Sequence, residues 1–195
     1  MKKLTSLALC GAFSLLLSAC TDAPPTTQVP RLSFDQYKPI MLNVAKIEIV
    51  DKFHAGSDAK HVELMMKQPP EVAVQDLLKK VLVAGGPSGV MRVIIDDASV
   101  VGEKLQVTNG MMGIFTDEPA ERYHATVELR FELVESDAPD IVKQHANVHA
   151  DRTKTVMKDS SPVDRDMAFF SLDDELMGDV SHELQTQIRT TFGLN

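Results

Sequence analysis

The chain has 195 residues, with 20 basic and 28 acidic side chains, a net charge of −8, two Cys and no Trp. That length supports one domain around a single core. The acidity opposes association with polyanions, so nucleic-acid partners are excluded.

Residues 1–20 read MKKLTSLALCGAFSLLLSAC. Lys2 and Lys3 precede an apolar run from Leu4 to Leu17, the layout of an export leader. The run is shorter than the roughly 20 residues that span a bilayer. The ending Leu17-Ser18-Ala19-Cys20 resembles the lipobox of bacterial lipoproteins. That resemblance implies cleavage before Cys20 and acylation of its thiol. Cys10 would leave with the leader and Cys20 would carry lipid, so no disulfide framework, Cys nucleophile or thiolate metal site is expected. Three acyl chains, as the resemblance implies, exceed the two signals that stable anchoring needs. The membrane itself is therefore an expected partner. Thr21 after the Cys favours the periplasmic side of the outer membrane by the sorting rule of enteric lipoproteins, and Asp22 keeps the inner membrane open. Loss of Lys2 and Lys3 with the leader takes the net charge from −8 to −10.

Three regions are expected: a leader over 1–19, a tether over 20–39 and a single α/β domain over 40–195. The tether TDAPPTTQVPRLSFDQYKP, following Cys20, is rich in Pro and Thr and suits a semi-extended spacer.

Leu42 to Val50 predicts the first strand, with Ala45, Ile47 and Ile49 on one face and Lys46 and Glu48 on the other. Residues 51–70 read as an irregular excursion. Pro69-Pro70 opens a helix carrying Val74, Leu77, Leu78, Val81 and Leu82 on one stripe, and Gly85-Gly86-Pro87 is expected to end it. Val90 to Ala98 is the second strand, and the strand–helix–strand order predicts a right-handed crossover with the two strands parallel.

Residues 108–119, TNGMMGIFTDEP, form a loop that carries apolar Met111, Met112, Ile114 and Phe115. Two readings stand: a lid tucked on the core, or an apolar patch presented to a protein partner or lipid. Tyr123 to Val134 then alternates strictly, with Ala125, Val127, Leu129, Phe131 and Leu133 inward. A turn over 136–140 leads to Val142 to Val156, with Val142, Ala146, Val148 and Ala150 on one face, which completes an antiparallel hairpin. A short helix is expected from Ser161-Pro162 to Phe170. Ser171 with Asp174 then suggests a capping box for a last helix carrying Leu172, Leu176, Val180, Leu184, Ile188 and Phe192, stopped by Gly193. The fold class is α/β: a two-layer domain in β-α-β-β-β-α order, with a four-stranded mixed sheet and helices packed on one face.

Several patches carry a resemblance to uncharacterised lipoproteins of Gram-negative bacteria. They are Pro69-Pro70 with Ala73 and Leu77, Ala84-Gly85-Gly86, the run Arg92 to Val100, and Gly113-Ile114-Phe115-Thr116 with Glu121-Arg122-Tyr123. Arg152 to Val156 and Leu184 with Gln187-Ile188-Arg189 complete the set. More distantly, the element order resembles auxiliary lipoproteins of ABC-type transporters and YajG-like outer-membrane lipoproteins, an analogy of fold that transfers no activity.

Chemistry-bearing residues are few. His145, His149 and Asp151 share the outer face of one strand, and a turn centred near Ala138 would set His124 opposite Asp151; such a cluster suits weak zinc or copper binding, against a plain polar sheet face. Asp96-Asp97 close a strand, one facing solvent and the other capping or pairing with a base such as Arg152. Arg122, Arg152 and Lys154 either form a basic spot or neutralise nearby acids. Gly85 to Gly89 follow a helix instead of preceding one, so they form a turn and not a phosphate loop. No catalytic residue, cofactor or metal is assigned. The function read is a non-enzymatic accessory or binding module in the cell envelope, with an envelope protein partner. The alternatives are an ABC-type transport auxiliary and, from another class, a metal-binding or hydrolytic enzyme.

Overall fold

The computed structural model describes residues 28–106 and 118–193. Cys20 and the apolar residues Met111, Met112, Ile114 and Phe115 lie outside that range. In chain order the elements are β1 (Ile40–Leu42), β2 (Lys46–Asp51), a 3-10 turn (Glu63–Met65), α1 (Pro70–Val81), β3 (Leu82–Ala84), β4 (Val90–Asp97), β5 (Val100–Lys104), β6 (Pro119–Val134), β7 (Val142–Met157) and α2 (Pro162–Phe192). The class is α/β with a mixed sheet.

β2 pairs parallel with β4, as a strand–helix–strand unit requires. β6 is the axis of the sheet. Along one edge it pairs antiparallel with β4 through residues 128–134 and with β5 through residues 121–125. Its other edge pairs with β7 along nearly the whole length. β4 and β5 therefore lie end to end, separated by Ala98-Ser99. There the Asp97 carboxylate accepts from the Ser99 N–H at 3.0 Å, and Ser99 C=O accepts from Thr126 N–H at 2.9 Å. The four strands expected become seven, because β5 is short and β1 and β3 form a separate parallel pair of three residues each.

That small pair also corrects the end of α1. The helix stops at Val81, and Leu82, expected on its stripe, begins β3 opposite Ile40. The glycines that follow continue the pairing: Gly85 N–H donates to Leu42 C=O and Gly86 N–H to Val44 C=O, each at 2.9 Å. A Cβ on Gly86 would lie 2.4 Å from Asn43 C and 2.5 Å from Val44 N, so only glycine allows this approach.

The C-terminal helix is one element of 31 residues, not two. Its capping box is at Ser161, whose Oγ accepts from Asp164 N–H while the Asp164 carboxylate accepts from Ser161 N–H. Ser171 sits mid-helix, with Oγ 2.9 Å from both Glu175 Oε1 and Lys154 Nζ. Nothing breaks the helix there: Phe169, Leu172, Leu176, Val180, Leu184 and Ile188 make one buried stripe. Gly193 ends it in the left-handed conformation at φ 66°.

Tyr123, Ala125, Val127, Leu129 and Phe131 of β6, Ala146, Val148 and Ala150 of β7, and the buried stripes of both helices join one hydrophobic cluster. Val142, expected on the inner face, is exposed. The register shifts between Leu133 and Val134, which pair with Gln144 and Val142, and this bulge turns Val142 outward. Leu133, on the face of Phe131 but at the strand's end, is half-buried.

Part of the stretch expected to be tether is packed. Phe34 is buried, Leu32 and Tyr37 lie against the core, and Leu32 N–H donates to Gln68 Oε1 at 3.3 Å. Lys80 of α1 pairs with Asp35, and the Tyr37 hydroxyl lies beside Gly178 of α2. Residues 28–37 thus form a strap over the helices.

Candidate functional site: a buried carboxyl beneath the strap

α2 places Asp166, Phe169, Phe170 and Asp173 on one side, at spacings of three and four residues. The segment Met66-Lys67-Gln68, leading into α1, and the strap residues Val29, Pro30 and Leu32 close over them. Between these walls lies a cavity of about 20 Å³. One water needs about 10–15 Å³.

Asp173 lines this cavity at 2 % exposure, and its Oδ1 has no hydrogen-bond partner among the described residues. Burial alone pushes its pKa from 3.8 up to about 8, so the carboxyl is mostly protonated at neutral pH. Lys67 is on the same wall, but its Nζ is 2.8 Å from Asp166 Oδ2. That ammonium is therefore engaged by Asp166. Beside the strap, a groove of about 630 Å³ is bounded by Arg31, Val72 and Asp76 together with strap residues that also line the cavity.

The cavity wall is buttressed from the sheet. Tyr123 of β6 packs on Phe169 with ring centroids 4.7 Å apart. Its hydroxyl donates to Glu121 Oε2, and Arg165 donates to both Glu121 oxygens at 3.1 and 3.3 Å. Burial first, and the Glu121 carboxylate second, push the Tyr123 pKa up to about 12. The hydrogen bond from Tyr123, followed by that from Arg165, lowers the pKa of Glu121.

Glu63 shows how a buried carboxylate is ordinarily held. It is 1 % exposed, and its oxygens accept from Gly56 N–H at 3.2 Å and Val100 N–H at 3.3 Å, with His61 Nδ1 at 3.1 Å. Asp173 has no such set.

His145, His149 and Asp151 share one exposed face of β7 as expected, but His124 does not stand where the expected register puts it. His124 stands opposite Thr153, not Asp151, and its Nδ1 lies 3.0 Å from Thr153 Oγ1. His149 stands opposite Glu128, 3.4 Å from that carboxylate and 3.6 Å from Asp151, while His145 faces Glu132. Among the described residues no group of three or more His, Cys, Asp or Glu could hold a metal ion. Asp96 accepts twice from Arg130, at 2.9 and 3.0 Å. Arg152, expected as a partner for that acidic pair, binds Asp179 of α2 instead. Lys154 pairs with Glu175 and Arg122 with Glu103, so these bases neutralise neighbouring acids.

Asp173 was missed in the sequence, although a signal exists. It lies four residues after Phe169 and four before Met177, both buried, which places it on the inward stripe. The adjacent Asp174 makes the pair look like an ordinary acidic surface.

No family model matches the chain, and no curated protein does. Several solved structures are similar to it. A candidate lipoprotein from Caulobacter crescentus is 7 % identical over 72 % of this chain and 85 % of its own, at a TM-score of 0.39. The rare lipoprotein B of Shewanella oneidensis is 12 % identical over 72 % and 92 %, at 0.36. A Xanthomonas campestris protein of family DUF330 is 15 % identical over 84 % and 93 %, also at 0.36. At such scores no residue role crosses to this chain.

Proposed function

We propose that the chain is a bacterial lipoprotein, acylated at Cys20 and held on the periplasmic face of the outer membrane, where it acts as a non-enzymatic binding module. The observation that supports this most is the lipobox-like Leu17-Ser18-Ala19-Cys20 only eight residues before Gln28, where the strap begins. Eight residues span at most about 29 Å, so the acyl chains would hold the strap and its cavity close to the bilayer. Among the described residues no helix is long and apolar enough to cross a membrane. The narrower reading, an auxiliary subunit of a lipid or solute transporter, draws support from the groove beside the strap.

Envelope fractionation with cross-linking tests both. Wild type is expected in the outer-membrane fraction, and Cys20→Ala in the soluble periplasm. Cross-linking to transporter subunits favours the narrower reading. Wild type recovered in the soluble fraction overturns the proposal.

A further inference from the structure

We infer that the cavity beneath the strap is a binding site for a primary ammonium group, received by the Asp173 carboxylate. Four observations converge on it. Asp173 is a nearly fully buried carboxyl that lines the cavity with its Oδ1 unpartnered among the described residues, and an unsatisfied buried polar group is costly to keep. The lysine that lines the space, Lys67, is paired with Asp166, so it brings no spare positive charge to match a carboxylate at Asp173. The space of about 20 Å³ fits a group the size of a water, as –NH₃⁺ is, and favours it over a bulkier quaternary ammonium. Finally, the rings of Phe169 and Phe170 line the same space, and aromatic faces favour cations.

The carbon chain of such a ligand has a way out. The cavity and the groove of about 630 Å³ share Val29, Pro30, Leu32, Lys67 and Gln68 as lining residues, so the two spaces are adjacent. Arg31 of the strap and Asp76 of α1, of opposite charge, both line the groove. The charged groups at the cavity are Lys67 on the connecting segment and Asp166 and Asp173 on α2. Binding is an ion exchange: the protonated carboxyl gives its proton to solvent as the ammonium takes its place. Affinity therefore rises with pH up to about 8, where the Asp173 carboxyl ionises unaided.

An ammonium could come from a lipid headgroup or from a soluble amine. The site does not depend on the anchoring proposed above; only a lipid source does. The test uses the full chain in non-ionic detergent, titrated at pH 7 with butylammonium by calorimetry in two buffers of different ionisation enthalpy. Saturable binding with release of a proton is expected, weakened on the order of tenfold or more in Asp173→Asn, with tetramethylammonium binding more weakly. No saturable binding, equal binding by Asp173→Asn, or equal binding of tetramethylammonium overturns the site; in those cases the cavity holds water alone. Vesicles with ethanolamine headgroups are then compared with choline vesicles. Preference for ethanolamine assigns the amine to a lipid, and equal binding assigns it to a soluble amine. A chain found without acyl groups leaves the butylammonium result unchanged, so the two proposals fail separately.

Discussion

Lys67 Nζ lies 2.8 Å from Asp166 Oδ2, and this pair joins the segment before α1 to the second turn of α2 at the rim of the Asp173 cavity. The contact engages the lysine that lines the Asp173 cavity with a different carboxylate. A buried carboxyl without a counter-charge follows, and with it a dependence of stability on pH.

The sign is set by the direction of the shift. The folded-state pKa of Asp173 is raised to about 8 from 3.8, so the folded chain holds a proton that the unfolded chain releases. Its contribution is fully present below about pH 4 and is lost as pH rises toward 8. Asp173→Asn removes that loss. Melts at pH 4, 6 and 8 are expected to show no difference at pH 4 and an advantage to the variant on the order of a few kcal/mol at pH 8. Parallel pH profiles for the two proteins would refute the burial argument.

Phe34 tests whether the strap belongs to the domain. It is 8 % exposed and part of the core cluster. Phe34→Ala is expected to lower unfolding free energy by about 3 kcal/mol in urea titration. A residue on a free spacer would change it by nothing measurable.

Two serines distinguish one long helix from two short ones. Ser161→Ala removes the capping box of α2 and should cost about 1 kcal/mol. Ser171→Ala, inside the helix, should cost less than about 0.5 kcal/mol, since Ala is the better helix former. A larger loss at Ser171 would restore the two-helix reading.

Two glycines should respond in opposite directions. At Gly86 a Cβ would overlap backbone atoms of Asn43 and Val44, so Gly86→Ala should destabilise by about 1–3 kcal/mol. At Gly178 the added Cβ would meet the Tyr37 hydroxyl at an ordinary 3.6 Å, and Gly178→Ala should stabilise α2 by up to about 1 kcal/mol. Chemical denaturation of the two variants checks both signs.

Much of the fold was readable because its periodicities are strong. The alternation in β6 locates Ala125, Val127, Leu129 and Phe131 on the core face, and the stripe Val74, Leu77, Leu78 and Val81 marks α1. What escaped lacks local signal. β1 and β3 are three residues long and exist through each other. β5, VVGEK, hides its strand character behind Gly102 and two charges. The site was less legible, since residues far apart in the chain, Pro30, Lys67 and Asp173, meet only through the packing of strap and helix. The hairpin register also had to be known before His124 could be placed opposite Thr153, since a small offset changes every cross-strand partner.

Mass spectrometry of the N-terminal peptide of protein isolated from its own envelope tests the anchored account most directly. The expected species begins at Cys20, with a diacylglyceryl thioether on its sulfur and an acyl group on its amine. A peptide that still begins at Met1, or a mature chain with a bare thiol at Cys20, contradicts it.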